Sequence, residues 1–458
     1  MCVSSIEQSW DVIIVGAGVS GLRAALDLKK AGQQVLVLEA RNRVGGRSMP
    51  GTVAGHTVDF GGQWLGADHH LFREQAQSLG VGIYPQHTEG NNLVSLDDSI
   101  QSYGSQVPKL PWSSLLSLGI ADQILQHDLR RLGHLAPWQA DNAAELDRES
   151  LEAWIDRKVH TKAARGLIQL IAKAILCAEP SEVSYLFFLE VLRQGHGLET
   201  MIGVKGGAQQ DKFVGGAWQV PKRMADLLTE QIRLNCPVHA IEQDTQGVRV
   251  LCAQGTFHAR RVIMTVPPAL ASRISYEPAL PAKRASLIRR MPMGCVIKIH
   301  VAYPTPFWRS RGLSGAVISP NRALSMVFDQ TPLNGEVGIL VGLIEGEHAV
   351  ELSEIGPDAR RARVIADLVH YFGADAAQPL EYVDHDWIHE TWTEGGYGAH
   401  MPPGVMTTYG EAIREPHGRI HWAGTETATE WMGYFEGAMQ SGIRAASEVL
   451  EAERQTAA

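Results

Sequence analysis

Cysteine is scarce. Cys2, Cys177, Cys236, Cys252 and Cys295 lie scattered through 458 residues, odd in number and without the short paired spacings of a metal site. That distribution argues against a disulfide framework and predicts a reduced, cytoplasmic compartment with no bound metal. Positive charge is also in short supply: 41 Lys and Arg against 50 Asp and Glu give a net charge of −9. Nucleic acid and anionic membranes are poor partners for such a surface, because both need clustered cations. A cationic small molecule meets no repulsion. No apolar run reaches the roughly 18 residues of a membrane helix, and the first ten residues lack the basic-then-apolar order of a secretory signal. What is left, 45% hydrophobic and 20% charged residues, is the profile of a soluble globular enzyme.

The organising stretch is Trp10 to Ala40. Asp11 to Val15 is a short, β-branched apolar run, which predicts a buried parallel strand. It enters Gly16-Ala-Gly-Val-Ser-Gly21. Leu22, Ala25, Leu26 and Leu28 then recur at helical spacing, Lys29 and Lys30 occupy the last turn, and Gly32 supplies a left-handed cap. Gln34 to Leu38 is a second strand, closed by Glu39. In this β-α-β unit Gly16 permits the tight turn, Gly18 admits a pyrophosphate, and Gly21 lets helix and strand pack closely. The helix end faces the phosphates, and Glu39 accepts from a ribose diol. The pattern predicts a Rossmann-type dinucleotide-binding domain and leaves NAD and FAD unseparated.

Downstream, Arg41-Asn-Arg-Val-Gly45-Gly46-Arg47 sets guanidinium forks around open backbone, suited to a second phosphate. Here the chain resembles the flavin amine oxidases, the monoamine and polyamine oxidase family, which carry this stretch after their FAD fingerprint. Phe60-Gly-Gly62-Gln63-Trp64 reads either as a β-turn beside a core tryptophan or as backbone laid on a flat ligand; the resemblance favours contact with the flavin ring. The C-terminal part carries the resemblance furthest. Trp392 to Tyr397, then Gly424-Thr425-Glu426-Thr followed by Trp431, Gly433, Tyr434 and Glu436-Gly-Ala438, resemble the monoamine oxidase flavin motif. A helix is expected from about Tyr434 to Glu453, burying Phe435, Ala438, Met439, Ile443, Ala446 and Leu450 at helical spacing. Its positive end would stabilise negative charge on a reduced flavin.

The resemblance also carries the site. Tyr397 and Tyr434 match the tyrosine pair that holds the amine, and Lys298 matches the lysine that holds a water at flavin N5. Alternation in Val296 to Ala302 by itself equally suits a snorkelling edge-strand lysine. Gln209 and Ile202 match a pocket glutamine and a gating isoleucine, Met326 a gate position, and Val238 the adenine contact. Mammalian members attach the flavin through a cysteine where this chain has Gly396, so FAD is expected to be non-covalent. A C-terminal membrane tail of mitochondrial members is not expected here.

The implied fold is α/β (α+β overall), a Rossmann-type FAD-binding domain (1–80, 206–290, 386–458) interleaved with a mixed-sheet-plus-helices substrate domain (81–205, 291–385). Helices are expected at Leu115 to Leu132 and Ala163 to Ala178, and a single helix, Asp358 to Tyr371, between Gly315 and His385. The implied reaction passes hydride from a small primary, secondary or cyclic amine to flavin N5. The imine hydrolyses, and O2 reoxidises the flavin to give H2O2. The alternatives are a polyamine oxidase, for which Glu390, Glu394 and Glu430 are candidate entrance acids, an amino-acid oxidase with an arginine in its cavity, or an amine dehydrogenase that passes electrons to a protein acceptor. A non-catalytic nucleotide-fold binder is the reading from another class, and a homodimer is compatible with the sequence.

Overall fold

The computed structural model describes residues 9–96, 99–104, 108–333 and 335–457; Cys2 lies outside them. Two large sheets organise the chain. In the first, Ser9–Val15 runs parallel to Val35–Leu38 on one side and to Gly255–Met264 on the other. Val35–Leu38 in turn pairs parallel with Ile232–Arg233, and the far half of Gly255–Met264 pairs parallel with Ile420–Trp422. The carboxyl ends of these strands therefore converge, delivering Gly16, Glu39, Thr265 and Gly424 to one crevice, the place where open α/β sheets bind ligands.

The predicted first helix is Val19–Lys30, with Leu22, Ala24, Ala25 and Leu28 buried, and Gly32 follows at φ +83°. Each buried leucine contributes about 2 kcal/mol. It packs on the last helix, Phe435–Ala457. The crossing is close, since a Cβ on Gly442 would meet the Ser20 carbonyl at 2.4 Å. The expected apolar stripe holds in part: Met439 and Ala446 are buried and Phe435, Ala438 and Leu450 pack partly buried against the same core, but Ala445 and Val449 are buried as well and Ile443 is only partly covered. Small residues at the crossing let the helices approach and bring Ala445 and Val449 into the buried face.

The second sheet runs in the order Glu381–Asp386, Val296–Tyr303, Gly338–Glu345, Met326–Asp329, Leu313–Ile318, Asn91–Leu96, Ser99–Tyr103. Its pleat sorts side chains by parity. Ile297, Ile299, Val301, Leu340 and Ile344 pack with Val364 and Leu368 of the helix Pro357–Phe372. On the other face the register aligns His385, Lys298, Leu343 and Met326 across neighbouring strands. The helical stretches appear as Trp112–Leu132 and Lys162–Leu176, the second capped by the Thr161 side chain.

Two expectations need correcting. Residues 53–59, read as one alternating strand, belong to a hairpin of Pro50–Val53 and His56–Asp59 that turns at Ala54-Gly55, both at positive φ. A two-residue turn leaves the alternation of the sequence intact and so escapes it. The single helix expected near Asp358 is preceded by another, Glu347–Glu354, because Gly356-Pro357 interrupts the helical run and restarts it. No described helix is long and apolar enough to cross a membrane.

Candidate active site

The glycine turn has the spacing its sequence implied. A Cβ on Gly21 would meet the Gly16 carbonyl oxygen at 2.0 Å, so the residue is required by packing. Gly18 is different. Its nearest prospective contact is the Gly46 Cα at 4.0 Å, and its own φ is −74°; neither protein packing nor backbone conformation demands glycine there. Glu39 is buried and accepts from Ala17 N–H at 2.7 Å and Arg41 N–H at 2.9 Å, which aims its carboxylate at the turn. Asn235 and Cys236 N–H groups donate to the Arg41 and Glu39 carbonyls, bringing half-buried Val238 beside the same strand end.

The arginine loop joins the two ends of the chain. Arg47 forms a forked pair with buried Glu426, at 2.6 and 3.0 Å, and donates to the Tyr397 carbonyl at 2.7 Å. Burial acts to raise the Glu426 carboxyl, but Arg47 overcomes it and holds the group below the usual carboxylate range. Arg41 pairs with Glu390 at 2.9 Å and reaches Thr393, fixing the turn that carries half-buried Trp392. Thr425 Oγ1 accepts from Gly433 N–H at 2.7 Å and donates to the Tyr434 carbonyl at 3.1 Å. A Cβ on Gly398 would lie 3.8 Å from the Gly433 Cα, so the backbones carrying Tyr397 and Tyr434 adjoin.

Lys298 is buried and donates to the Gly61 carbonyl at 2.7 Å, with Nζ 5.6 Å from the centre of the Trp64 ring. Burial pushes its ammonium below the ordinary lysine range, and Asp59 acts in opposition. Asp59 is in turn raised by burial against Lys298 and the Ala217 N–H. Trp64, Met326, Leu343, Val296, Trp387, Cys177 and Tyr397 form one apolar cluster, and Leu343 is the register partner of Lys298. Burial first, then nearby Cys177, raises both tyrosine hydroxyls, so both phenols stay protonated.

Residues 19–450 match the family described as flavin containing amine oxidoreductase. The chain belongs to that family. A Mycobacterium tuberculosis protein named as a flavin-containing monoamine oxidase is 39% identical over 439 residues, 96% of each chain. Bovine flavin-containing amine oxidase A is 34% identical over 98% of this chain and 86% of its own. Among solved structures, cyclohexylamine oxidase from Brevibacterium oxydans superposes with a TM-score of 0.93 at 33% identity, covering 98% and 100% of the two chains. Putrescine oxidase bound to putrescine gives 0.93 at 31%, covering 97% and 99%.

This amine oxidoreductase uses FAD, and the residues present fit it. Room is left at Gly18, where only the Gly46 Cα comes as near as 4.0 Å to a prospective Cβ, and at Gly433, where nothing lies within 4 Å of one. The first turn of Val19–Lys30 has no side-chain cap, so its N–H groups are open to a phosphate. Ser48 Oγ and Gln63 Oε1 are buried with no protein partner.

The structure thus brings Gly16, Gly18, Gly21, Glu39, Arg47, Gly46, Gly424, Thr425, Glu426, Gly433 and both tyrosines into one region, with Lys298, Trp64 and Met326 adjoining. Gly46 follows Gly45 at the bridge to Gly18, Gly62 packs on Phe435, and Gly396 packs on Val296. Gln63 donates to Gln330 at 3.2 Å. Ile202 is exposed at the end of a short helix, Leu198–Ile202, and Gln209 turns its amide to the Met201 carbonyl at 3.0 Å. Neither has a contact with the tyrosine pair among those described. Asp59, Cys177, Leu343 and Glu345 escaped the sequence reading. Only Glu345 left a local trace, as the acid that closes an otherwise apolar strand.

Proposed function

We propose that this enzyme oxidises small amines with an apolar carbon side, primary, secondary or cyclic, to imines that hydrolyse to aldehyde or ketone. The observation that carries the reading is the apolar cluster of Trp64, Met326, Leu343, Trp387 and Tyr397 packed around the Lys298 face of the second sheet. FAD, when bound, would supply the two-electron acceptor, with O2 as the final oxidant and H2O2 as its product. The protein's part is positioning and electrostatics. Tyr397 and Tyr434, both protonated, present aromatic faces that orient the amine nitrogen. Lys298, held by the Gly61 carbonyl, keeps a proton donor on the face of the second sheet that the apolar cluster lines, where it would serve the oxygen half-reaction. The Arg47–Glu426 pair locks the Tyr397 backbone to the 424–434 turn.

The rival substrates fit less well. Arg47 already satisfies Glu426 and the Tyr397 carbonyl, so an amino-acid carboxylate finds no open fork there. Of the three acids considered for a polyamine entrance, Glu390 is held by Arg41 and Glu394 by Arg273, while Glu430 is exposed and has no ion pair among the described residues. Residues 1–80, 206–290 and 386–458 form the flavin unit in this reading and 81–205 with 291–385 the substrate unit. In support, the strands of the first sheet fall in the former and, apart from Asp386, those of the second in the latter. FAD is held non-covalently, and the free Cys177, Cys236, Cys252 and Cys295 thiols suit a cytoplasmic setting.

The test is anaerobic bleaching of the oxidised flavin by benzylamine, cyclohexylamine, putrescine, spermidine and L-amino acids, followed by air. Bleaching by the first two with prompt return and H2O2 release is expected. Bleaching only by polyamines or amino acids would overturn the substrate class, and slow return in air would favour a protein electron acceptor.

A further inference from the structure

Gly338–Glu345 is buried along its whole length and apolar until its last residue, a carboxylate only 2% exposed. Among the described residues no guanidinium or ammonium bonds to that carboxylate. Its acceptors are occupied by hydroxyls: Tyr397 donates to Oε1 at 3.2 Å and Ser325 donates to Oε2 at 3.0 Å. Glu345 pairs in register with Val296, one step along the same face from the Leu343–Lys298 pair, so it points toward the site. Ser325 also reaches the Leu343 carbonyl at 3.3 Å, which ties the acid to the strand beside it. A buried carboxylate costs stability unless its bonds are needed, and a leucine would suit an apolar strand better.

We propose that Glu345 is a positioning residue for Tyr397: it fixes the phenol hydroxyl so that the ring stays turned to the amine, and in its ionised form it draws on that hydroxyl and enriches the ring face. The inference rests on the amine-orienting role of Tyr397 stated above. A carboxylate accepting a phenol proton bond gives a charge-assisted contact, and electron density pushed into the ring deepens the negative face that a nitrogen meets. Burial raises the Glu345 carboxyl to about 7, against the Ser325 and Tyr397 hydrogen bonds and the more distant Lys173. Cys177, which also acts on the Tyr397 hydroxyl, is buried and stays a thiol. The groups that act on Glu345 are thus Ser325, Tyr397, Lys173 and, through Tyr397, Cys177. Ionisation falls within a working pH range, and the carboxylate form prevails above it.

The experiment compares wild type, Glu345→Gln, Glu345→Leu and Ser325→Ala by the rate of anaerobic flavin reduction at saturating amine across pH, with melting of the cofactor-free proteins alongside. In wild type the rate should rise through a limb near pH 7, separate from the limb set by the amine's own ionisation. Glu345→Gln keeps an acceptor and should lose the first limb only. Glu345→Leu should slow reduction on the order of tenfold, because the hydroxyl loses its partner. Ser325→Ala should move the limb to higher pH, since that hydroxyl favours the carboxylate. In the cofactor-free proteins, the melting advantage of Glu345→Gln over wild type should grow as pH rises toward 7, where burial penalises the carboxylate. Identical pH profiles for wild type and Glu345→Gln, or a Glu345→Leu rate within about twofold of wild type, would overturn the proposal. Should Glu345→Leu fail to fold, the Gln and Ser325 variants decide it. If wild type is reduced only by another class of amine, the substrate reading fails, and the same profiles taken with that amine still test Glu345.

Discussion

Arg47→Met removes the cation that neutralises Glu426. In the native protein that carboxylate is 2% exposed and takes two hydrogen bonds from the guanidinium, while Arg47 itself is 22% exposed. Removing one partner of a buried pair costs about 3–5 kcal/mol, since the other charge stays buried and unmatched. The partial exposure of Arg47 puts the expected loss at the low end, about 3 kcal/mol. Unfolding entropy near 2 cal/mol/K per residue over 458 residues gives a melting entropy of about 1 kcal/mol/K. The melting temperature of the cofactor-free protein should therefore fall by about 3 °C. The pH dependence has a definite sign. Glu426 is held below its ordinary value by Arg47, so the pair stabilises above the unfolded carboxyl pKa and its contribution fades as pH falls through the folded one. In the variant, burial without Arg47 raises the carboxyl instead, so the gap from wild type should narrow toward about pH 4. Calorimetry at neutral and acidic pH reads both effects, and Arg47→Met/Glu426→Leu should recover most of the loss. A single variant that melts within about 1 °C of wild type, or a double variant no better than the single, would refute the reasoning.

Other outcomes follow from the same geometry. Gly18→Ala has room for its methyl and no strained φ, so it should fold with an unchanged melting temperature yet lose FAD on gel filtration. Gly21→Ala runs into the Gly16 carbonyl and should melt lower even without cofactor. Lys298→Met should keep anaerobic reduction by amine but slow reoxidation by air on the order of 100-fold; unchanged reoxidation would remove the proposed role. Acid or detergent denaturation should release all of the flavin from the polypeptide, and flavin that migrates with the chain would contradict non-covalent binding.

The parts of this protein readable in the sequence are those whose causes are local. A β-branched run, a glycine turn and a helical repeat occupy one continuous stretch, so the first β-α-β unit could be placed within a residue or two, together with Glu39 at its end. Alternation likewise set Lys298 apart from Ile297 and Ile299 before any partner was known. Local causes also produced the errors: the Ala54-Gly55 turn leaves alternation undisturbed, and the stripe of the last helix depends on what it packs against. Tertiary structure alone decided which groups meet. Arg47 finds Glu426 across 379 residues and Tyr397 finds Glu345 across 52, while Lys298 meets the Gly61 carbonyl only because the second sheet lies against the hairpin of the first unit. Such contacts depend on how sheets and helices close on one another, and chain propensity holds no record of that. The protonation states follow from the same closure, because Glu345, Asp59 and Lys298 have ordinary side chains until burial takes away their water.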